Sequence, residues 1–359
     1  MNPAILESTG PASPASTRRP ATNFTYLIEK EFSVDNLKPV DRPVGEPGPG
    51  EVLLGIRAAS LNFRDYDILR GQYPAGHYAP PFIPVSDVAG EILALGAGVT
   101  GFRVGDRAMP NFWQVWDSGE RPPAGAETLG GPLPGLLRQR ALLPASGLVR
   151  IPDYLSFEQA STLPIAAVTA WNALIVQGGL KPGETVLVQG TGGVAIFALQ
   201  IAKLAGARVI VTSSSDEKLE RARSLGADAG INYRRHPEWS KQVAELTNGE
   251  GVEHVIEVGG ANTMAESLDS VAVGGSVYVI GYLAGVEGGL SPLRVLRKKA
   301  RVRGVLVGSR QSFVEMNRAF ALARLQPAID RVFSWEETKE AFHHMGSGRH
   351  FGKIVIRVD

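Results

Sequence analysis

The most regular pattern of hydrophobic and polar positions lies in the middle of the chain. Residues 186–188 form a short apolar run, typical of a parallel strand that is buried on both faces. Apolar residues then recur at helical spacing and form one face, made of Val194, Phe197, Ala198, Ile201 and Ala205. Gly206 ends this helix, and residues 209–211 form the next apolar run. The pattern predicts a strand, a helix and a second strand in that order.

The turn between the first strand and the helix carries candidate chemistry. Gly190, Gly192 and Ala195 fit the G-x-G-x-x-G/A pattern of a dinucleotide-binding turn. Gly190 allows a tight turn, Gly192 lets the backbone approach a pyrophosphate, and Ala195 lets the helix pack close to the sheet. The helix N-terminus adds free N–H groups and a positive dipole end. We therefore predict a phosphate-binding turn, with a merely structural glycine-rich turn as the alternative. The residues expected to contact the cofactor there are Gly190, Thr191, Gly192, Gly193 and Val194.

The segments on either side of this unit differ in pattern. Residues 24–143 read as short strands broken by glycine and proline, which is typical of a β-rich lobe. Beyond the glycine-rich unit, apolar runs alternate with helical patterns, and this alternation favours a doubly wound parallel sheet. The chain then ends in two predicted helices and a last strand at residues 353–358. The predicted fold class is α/β, with a Rossmann sheet inserted into a β-rich domain.

Composition narrows the possible classes of function. The 359 residues are too many for one comfortable core, and 44% are hydrophobic and 20% charged, an ordinary balance for a soluble protein. The net charge of +1 gives no sign of a nucleic-acid or membrane surface. The chain has no cysteine, which excludes disulfides, thiolate nucleophiles and cysteine-ligated metals. We expect a cytoplasmic protein that acts on a small molecule, with a disordered tail over residues 1–22.

Short motifs spread over nearly the whole chain after residue 22 resemble the medium-chain dehydrogenase/reductase superfamily, and within it the zinc-free branch that is similar to quinone oxidoreductases. These motifs are Leu61-Asn62-Phe63-Arg64-Asp65, Gly105-Asp106-Arg107, Leu163-Pro164, Thr169-Ala170-Trp171, Leu225-Gly226-Ala227-Asp228, Ile231-Asn232-Tyr233 and Gly352-Lys353. The resemblance implies a GroES-like catalytic domain at residues 23–165 and 309–359, and a Rossmann domain at residues 166–308. It also implies an active site between the two domains.

The resemblance also indicates whether the site would hold a zinc ion. Zinc-using relatives carry two cysteines and a histidine at the positions that match Asn62, Ser86 and Ile165 here. None of these three residues supplies the thiolate or imidazole that tetrahedral zinc favours, and the carboxylate of Asp87 is too few ligands alone. The sequence therefore predicts a metal-free site.

The residues after the second strand of the glycine-rich unit bear on the choice between NAD and NADP. A turn that prefers NAD carries an acid at the tip of this strand, where this chain has Ser213 and Ser214. Small hydroxyl groups leave room for a 2′-phosphate, Lys218 adds a cation, and Tyr233 matches a phosphate-contacting tyrosine of the family. The alternative is that Ser214 caps the next helix and Lys218 is solvated, and Asp216 lies close enough to complicate the prediction. We predict NADP(H).

Further cofactor contacts follow from the resemblance alone. The implied positions along the nicotinamide half and the closing motif are Thr169, Gly259, Gly281, Val307, Gly352 and Lys353. Among the histidines, only His350 lies near this closing motif.

The remaining candidates are catalytic. Without a metal or thiol, the most accessible chemistry is hydride transfer by the cofactor itself. Asn62 is the first candidate for a hydrogen-bond donor to substrate or nicotinamide, with a structural loop asparagine as the alternative. Tyr66 and Tyr73 are candidate proton donors on the same loop, although packing is the more common role of such tyrosines. Quinones, enones or related carbonyl compounds suit such a site, because the developing oxyanion is delocalised.

The sequence leaves two other functions possible, and the oligomeric state is a separate prediction. The chain could be a zinc-independent alcohol or aldehyde oxidoreductase, or a non-catalytic NADPH-binding protein with a structural or regulatory role. The family resemblance further implies a homodimer formed at the edge of the Rossmann sheet, with residues 276–282 as the expected pairing segment.

Overall fold

A computed structural model of the chain describes residues 22–74 and 78–358. The tail predicted for residues 1–22 lies outside the described residues, apart from residue 22. The strands are β1 (Phe24–Leu27), β2 (Lys38–Asp41), β3 (Glu51–Leu61), β4 (Asp87–Leu95), β5 (Arg107–Pro110), β6 (Arg140–Pro144), β7 (Leu148–Arg150), β8 (Thr185–Gln189), β9 (Arg208–Ser213), β10 (Ala229–Asn232), β11 (Val252–Glu257), β12 (Val271–Val279), β13 (Arg301–Gly304), β14 (Ile329–Phe333) and β15 (Lys353–Arg357).

The helices connect and flank these strands. They are α1 (Phe63–Leu69), α2 (Phe157–Ser161), α3 (Val168–Trp171), α4 (Gly193–Leu204), α5 (Asp216–Ser224), α6 (Trp239–Leu246), α7 (Met264–Ser270), α8 (Pro292–Lys298), α9 (Arg310–Ala323) and α10 (Thr338–Gly346). Two π-helical turns, Leu163–Ala167 and Asn172–Gln177, flank α3 and make residues 157–177 almost continuously helical. In the described part of the chain, no helix is long and apolar enough to cross a membrane.

A six-stranded parallel sheet forms the cofactor side of the molecule. Its order is β10-β9-β8-β11-β12-β13. All strands are parallel, and the side on which the chain adds successive strands switches between β8 and β11. The centres of β8 and β9 are apolar runs, at residues 186–188 and 209–211, as the sequence predicted, and β11 has a shorter apolar centre at residues 255–256. All of these residues are buried, as expected where helices cover both faces of a parallel sheet. Ligands of such sheets bind at the carboxyl ends of the strands beside the switch point. The fold thus confirms the predicted Rossmann sheet and places the turn after β8 at this point.

A seven-stranded sheet forms the other half, with the order β14-β15-β3-β4-β5-β7 and β6 added against β3. Its last strand, β15, returns from the C-terminus and pairs antiparallel with β3, so that Ile354 lies opposite Leu61. This register brings Lys353 beside the loop that begins at Asn62. The two sheets agree with the predicted pair of domains, while the exact boundaries at residues 165/166 and 308/309 stay a prediction.

The prediction that residues 276–282 pair across a dimer two-fold is wrong. Residues 276–279 lie within β12, which pairs with β11 on one side and with β13 on the other. Its backbone groups are therefore already used within the sheet. The edge strands of this sheet are β10 and β13, and the sequence alone did not single out β13 as an outermost strand.

Candidate active site

The glycine turn lies open at the carboxyl end of β8. Gly190 has a φ of 75°, a left-handed conformation that side chains disfavour, and its N–H donates to Thr212 O at 2.9 Å. A Cβ placed on Gly192 would meet only Nε2 of His350, at 3.9 Å. The turn therefore exposes backbone, and the N-terminus of α4, to whatever binds in front of it.

The C-terminal strand meets this turn from the other domain. The N–H of Gly352 donates to Thr191 O at 2.9 Å, and Gly192 and Gly352 form a parallel bridge. A Cβ placed on Gly193 would lie only 2.6 Å from Cδ of Lys353. The stem of Lys353 thus runs directly beneath the first residue of α4.

Lys353 is almost completely buried, with a side-chain exposure of 2%. Its Nζ donates to Leu61 O and to Oδ1 of Asn62, both at 2.7 Å, and lies 3.9 Å from Oδ2 of Asp87. Burial lowers the pKa of Lys353, although the charges of Asp87 and Asp65 oppose this. Burial likewise raises the pKa of Asp87, against the effect of the nearby Lys353 charge. The cluster is a buried ion pair in which the ammonium holds the Asn62 loop.

The side chain of Asn62 is engaged within this cluster. Its backbone N–H donates to Oδ2 of Asp65 at 2.8 Å, which fixes the entry to α1. Burial raises the pKa of Asp65 to about 6, with the nearby Arg64 guanidinium acting in the opposite direction. Nδ2 of Asn62 is enclosed and makes no hydrogen bond within the described part of the chain. The oxygen of the Asn62 side chain is therefore tied to Lys353, and the predicted role of Asn62 toward a substrate or nicotinamide stays a prediction.

The two candidate tyrosines lie in different surroundings. Tyr66 faces α10, because a Cβ on Gly346 would fall 2.3 Å from the tyrosine hydroxyl, and Arg70 covers its ring at 4.7 Å. Tyr73 is half-buried and packs on Tyr282 with ring centroids 6.4 Å apart. Tyr282 directly follows Gly281 in the cofactor half. The structure therefore brings Tyr73, but not the hydroxyl of Tyr66, against a loop at the carboxyl end of the parallel sheet.

A buried arginine supports the Tyr73 side of the cleft. The guanidinium of Arg64 lies 5.3 Å from the Tyr73 ring and 5.1 Å from the Phe112 ring. It donates to the carbonyl groups of residues 129–131 at 3.3–3.4 Å. Tyr78 packs edge-on against Tyr73 at 5.7 Å. These contacts fix an aromatic cluster, formed by Tyr73, Tyr78 and Tyr282, across the two halves.

The serines after β9 lie where the sequence placed them, but the helix cap differs by one residue. Ser215, not Ser214, caps α5, because its Oγ accepts the N–H of Lys218 at 3.3 Å. Ser214 therefore does not cap α5, which was the alternative explanation for a serine at this position. Tyr233 is 41% exposed and donates its N–H to Ser213 O.

The charged residues near these serines are partly engaged. Nζ of Lys218 donates to Gly348 O at 2.7 Å, and burial lowers the pKa of this lysine. The carboxylate of Asp216 accepts Asn232 Nδ2 at 2.9 Å and pairs with Arg235, which lowers the pKa of Asp216. The nearby acid is thus already neutralised by a cation.

A buried carboxylate that the sequence analysis missed organises the loop after β11. Oε1 of Glu257 accepts the N–H groups of Gly259 and Gly260 at 2.7 and 2.9 Å, and Oγ1 of Thr263 at 2.6 Å. Oε2 accepts Gln189 Nε2 at 2.7 Å and also Ser267 Oγ. The available signal was a polar residue directly after the buried apolar residues of each of two strands, Gln189 at the end of β8 and Glu257 at the end of β11.

The other positions implied for the nicotinamide half also lie at this end of the sheet or next to it. Gly281 packs against the loop after β11, since a Cβ there would lie 2.7 Å from Val258 O. Val307 has a φ of 61°, and its carbonyl accepts Asn172 Nδ2 at 2.6 Å. Thr169 is buried within α3. Their roles toward a cofactor stay predictions.

Comparison with known proteins identifies the family. Residues 48–153 match the alcohol dehydrogenase GroES-like domain, and residues 193–321 match the zinc-binding dehydrogenase domain. The zinc-type alcohol dehydrogenase-like protein C1773.06c of Schizosaccharomyces pombe is 43% identical over 343 residues, covering 93% of this chain and 99% of the relative. The chain belongs to the medium-chain dehydrogenase/reductase superfamily. Its resemblance to this family, predicted from short motifs, is confirmed.

Further relatives in the superfamily carry different activities in their names. Quinone oxidoreductase-like protein 2 of Bos taurus is 28% identical, over 92% of this chain and 90% of its own. The structure of a candidate alcohol dehydrogenase from Sinorhizobium meliloti 1021 superposes with a TM-score of 0.88 at 42% identity, over 94% of this chain and 99% of that one.

Two other structures in the superfamily differ in their nicotinamide cofactor. An NAD-dependent alcohol dehydrogenase has a TM-score of 0.86 at 32% identity, covering 94% of this chain and 100% of its own. A mycobacterial protein complexed with NADPH has a TM-score of 0.79 at 26% identity, with the same two coverages. The chain is an NAD(P)H-dependent oxidoreductase of this superfamily.

The matching domain is named for zinc binding, but the residues of this chain at the zinc-ligand positions do not form a set that would bind zinc. The side chain of Asn62 accepts a hydrogen bond from Lys353, while Oγ of Ser86 and the N–H of Ile165 both donate to Asp87, at 3.4 and 3.2 Å. Within residues 22–74 and 78–358, no three histidine, aspartate or glutamate side chains come together as a metal site. The three positions matched to zinc ligands therefore converge, but around an ammonium and a carboxylate.

Proposed function

We propose that this superfamily member is an NADPH-dependent, metal-independent reductase that transfers hydride to quinones, enones or related carbonyl compounds. The observation that carries the proposal is the aromatic contact between Tyr73 and Tyr282, beside the loop predicted to follow the nicotinamide. Flat aromatic side chains suit a planar, conjugated substrate. The same region contains the phenol group of Tyr73.

The proposed chemistry divides between the cofactor and the protein. When bound, the cofactor supplies the hydride. The loops ordered by Glu257 and by Lys353 hold the two halves of the cleft in register, which reduces the entropic cost of bringing the reacting atoms together. Tyr73 is the proposed proton donor to the reduced substrate. Asn62 and Tyr66, the other two candidates, shape the loop and helix that support it.

A substrate panel tests this proposal. Purified protein is mixed with NADPH or NADH and a series of quinones, enones, aldehydes and, in the reverse direction, alcohols with the oxidised cofactors. We expect NADPH oxidation with quinones or enones and little oxidation of simple alcohols. If alcohols are the better substrates, the zinc-independent alcohol dehydrogenase is the correct function, and binding of NADPH without any turnover would refute both.

Tyr73→Phe tests the proton donor. Because a positioned acid contributes roughly 10²-fold or more, we expect kcat for enones to fall by about that factor, with little change in NADPH affinity. Tyr66→Phe is the matched control, since its hydroxyl faces α10, and its kcat is expected to change by less than about threefold. Equal losses in the two variants would argue against a specific role for Tyr73.

The preference for NADPH rests on Ser213 and Ser214 at the tip of β9, with Lys218 and Tyr233 nearby. Ser214 has no capping role, and Asp216 is paired with Arg235, so a 2′-phosphate would meet hydroxyl groups and cations. Ser214→Asp places an acid where NAD-preferring relatives carry one. We expect it to weaken NADPH binding by about 50-fold and to leave NADH affinity equal or better, measured by fluorescence titration. Tighter NADH than NADPH binding by the natural protein would contradict the serine argument.

The homodimer proposal moves to the edge strand β13. Unpaired backbone groups on an edge strand are a template for pairing, and Val302 on β13 is 37% exposed. Leu293 and Leu296 on the adjacent α8 are 50% and 72% exposed. We expect light scattering to give twice the chain mass, and Leu296→Glu to shift the protein toward monomer. A monomeric natural protein at micromolar concentration would refute this arrangement.

A further inference from the structure

Lys353 makes contacts on both sides of the cleft at once. Its stem lies under Gly193, at the start of the helix that follows the cofactor turn. Its ammonium ends at the carbonyl of Leu61 and the side chain of Asn62, in the loop that enters α1. One side chain therefore spans the distance between the phosphate-binding turn and the loop that carries the first catalytic candidate.

The hydrogen bonds of this ammonium show what holds it. Its two short contacts, at 2.7 Å, go to the loop, whereas the carboxylate of Asp87 lies 3.9 Å away. An ammonium has three donors, so most of its directional bonding is spent on Leu61 and Asn62. Because a buried ion pair is frequently no more stabilising than an apolar pair of the same size, stability alone is a weak reason for this arrangement.

We propose that Lys353 is a positioning residue: its buried ammonium acts where zinc-dependent relatives hold a metal, and it fixes the Asn62 loop against the cofactor turn. The positive charge at this position is thus a lysine side chain in place of a bound metal ion. This inference rests on the proposed reductase function for its kinetic readout, but it also predicts a change in loop order that needs no substrate.

The first test removes the ammonium while keeping the buried charge balanced. In Lys353→Met with Asp87→Asn, both charges disappear together, which protects folding. We expect kcat to fall about 30-fold or more, while the Kd for NADPH changes by less than about threefold. Lys203→Met is the control, because Lys203 also donates to a backbone carbonyl and a carboxylate but lies far along α4. Its kcat should stay within about twofold of the natural protein.

Hydrogen exchange provides the readout that does not depend on activity. Without the two short hydrogen bonds, the backbone amides of residues 62–65 should exchange at least about tenfold faster than in the natural protein. Exchange in β8 and β11 should stay unchanged. This measurement separates failure of the positioning role from failure of the proposed reductase function, because it holds even when the substrate panel finds no turnover.

A double-mutant cycle that combines Asn62→Ala with the loss of the Lys353 ammonium distinguishes a positioning role of Lys353 from general stabilisation of the fold. If Lys353 acts through Asn62, removing the ammonium in the Asn62→Ala background should cost less than about twofold in kcat beyond the loss from Asn62→Ala alone. In a parallel arm, propylammonium should restore about tenfold activity to Lys353→Ala, whereas propanol should restore none.

Four results would overturn the inference. One is a charge-balanced double variant with kcat within about threefold of the natural protein and unchanged exchange at residues 62–65. Another is full additivity in the Asn62 cycle. The third is a natural protein that holds one zinc ion per chain and loses turnover when a chelator removes it. Failure of the double variant to bind NADPH would also count against the inference, since the ammonium would then support the fold and not the loop.

Discussion

Replacing Glu257 with leucine is expected to lower the free energy of unfolding by about 4 kcal/mol. The carboxylate is completely buried and accepts hydrogen bonds from Gln189, Ser267, Thr263 and two backbone N–H groups. Leucine has a similar size but no acceptor, so all five donors lose this partner. The donors of Gln189, Gly259 and Thr263 each keep one other acceptor, whereas those of Gly260 and Ser267 have no other within the described residues. Urea denaturation followed by fluorescence gives the change directly, provided the slope of the transition is unchanged.

Two other variants define what this loss means. Glu257→Gln keeps one acceptor oxygen but adds an amide donor among donors, so an intermediate loss of about 2 kcal/mol is expected. Glu253→Leu, on the same strand, removes a partly exposed carboxylate that, among the described residues, accepts the N–H of Thr185 alone. This variant should cost less than about 1 kcal/mol. If Glu257→Leu is no more destabilised than Glu253→Leu, the hydrogen-bond network around Glu257 does not hold the loop.

The parallel sheet was the part of the fold most open to prediction. Strands β8 and β9 contain local apolar runs, and α4 repeats its apolar positions at helical spacing, so neighbouring residues alone define them. Which strand lies at the edge depends on pairing between distant segments. No local pattern in residues 276–279 or in β13 tells which strand lies at the edge, yet β12 is enclosed and β13 is not. The predicted dimer segment was wrong for this reason.

The candidate site shows the same division. Local chemistry predicted the glycine turn, and the structure gives Gly190 the left-handed φ that such a turn needs. The cap of α5 was misplaced by one residue, because adjacent serines have the same capping chemistry and only geometry separates Ser214 from Ser215. Lys353 could be linked to the cofactor by motif, but the direction of its ammonium depends on the pairing of β15 with β3. No pattern within one segment contains that information.

The adjacent glycines of the turn should respond differently to alanine, and this contrast separates cofactor access from the packing beneath the turn. A Cβ on Gly193 would lie 2.6 Å from Cδ of Lys353 and 3.3 Å from Cβ of Ala166, and the lysine cannot yield easily because its far end is tied to Leu61 and Asn62. We expect Gly193→Ala to lower the free energy of unfolding by about 2 kcal/mol, because of overpacking, and to lower kcat as the Asn62 loop shifts.

Gly192→Ala is the matched variant one residue earlier. Its new Cβ meets only His350, at 3.9 Å, so the free energy of unfolding should change by less than about 0.5 kcal/mol. The same methyl group lies where a pyrophosphate must approach the backbone, and NADPH binding should therefore weaken by about tenfold or more. Denaturation and fluorescence titration of both variants test the contrast. Equal losses of stability would contradict the packing of Lys353 under Gly193, and unchanged NADPH affinity in Gly192→Ala would contradict the assignment of this turn to the pyrophosphate.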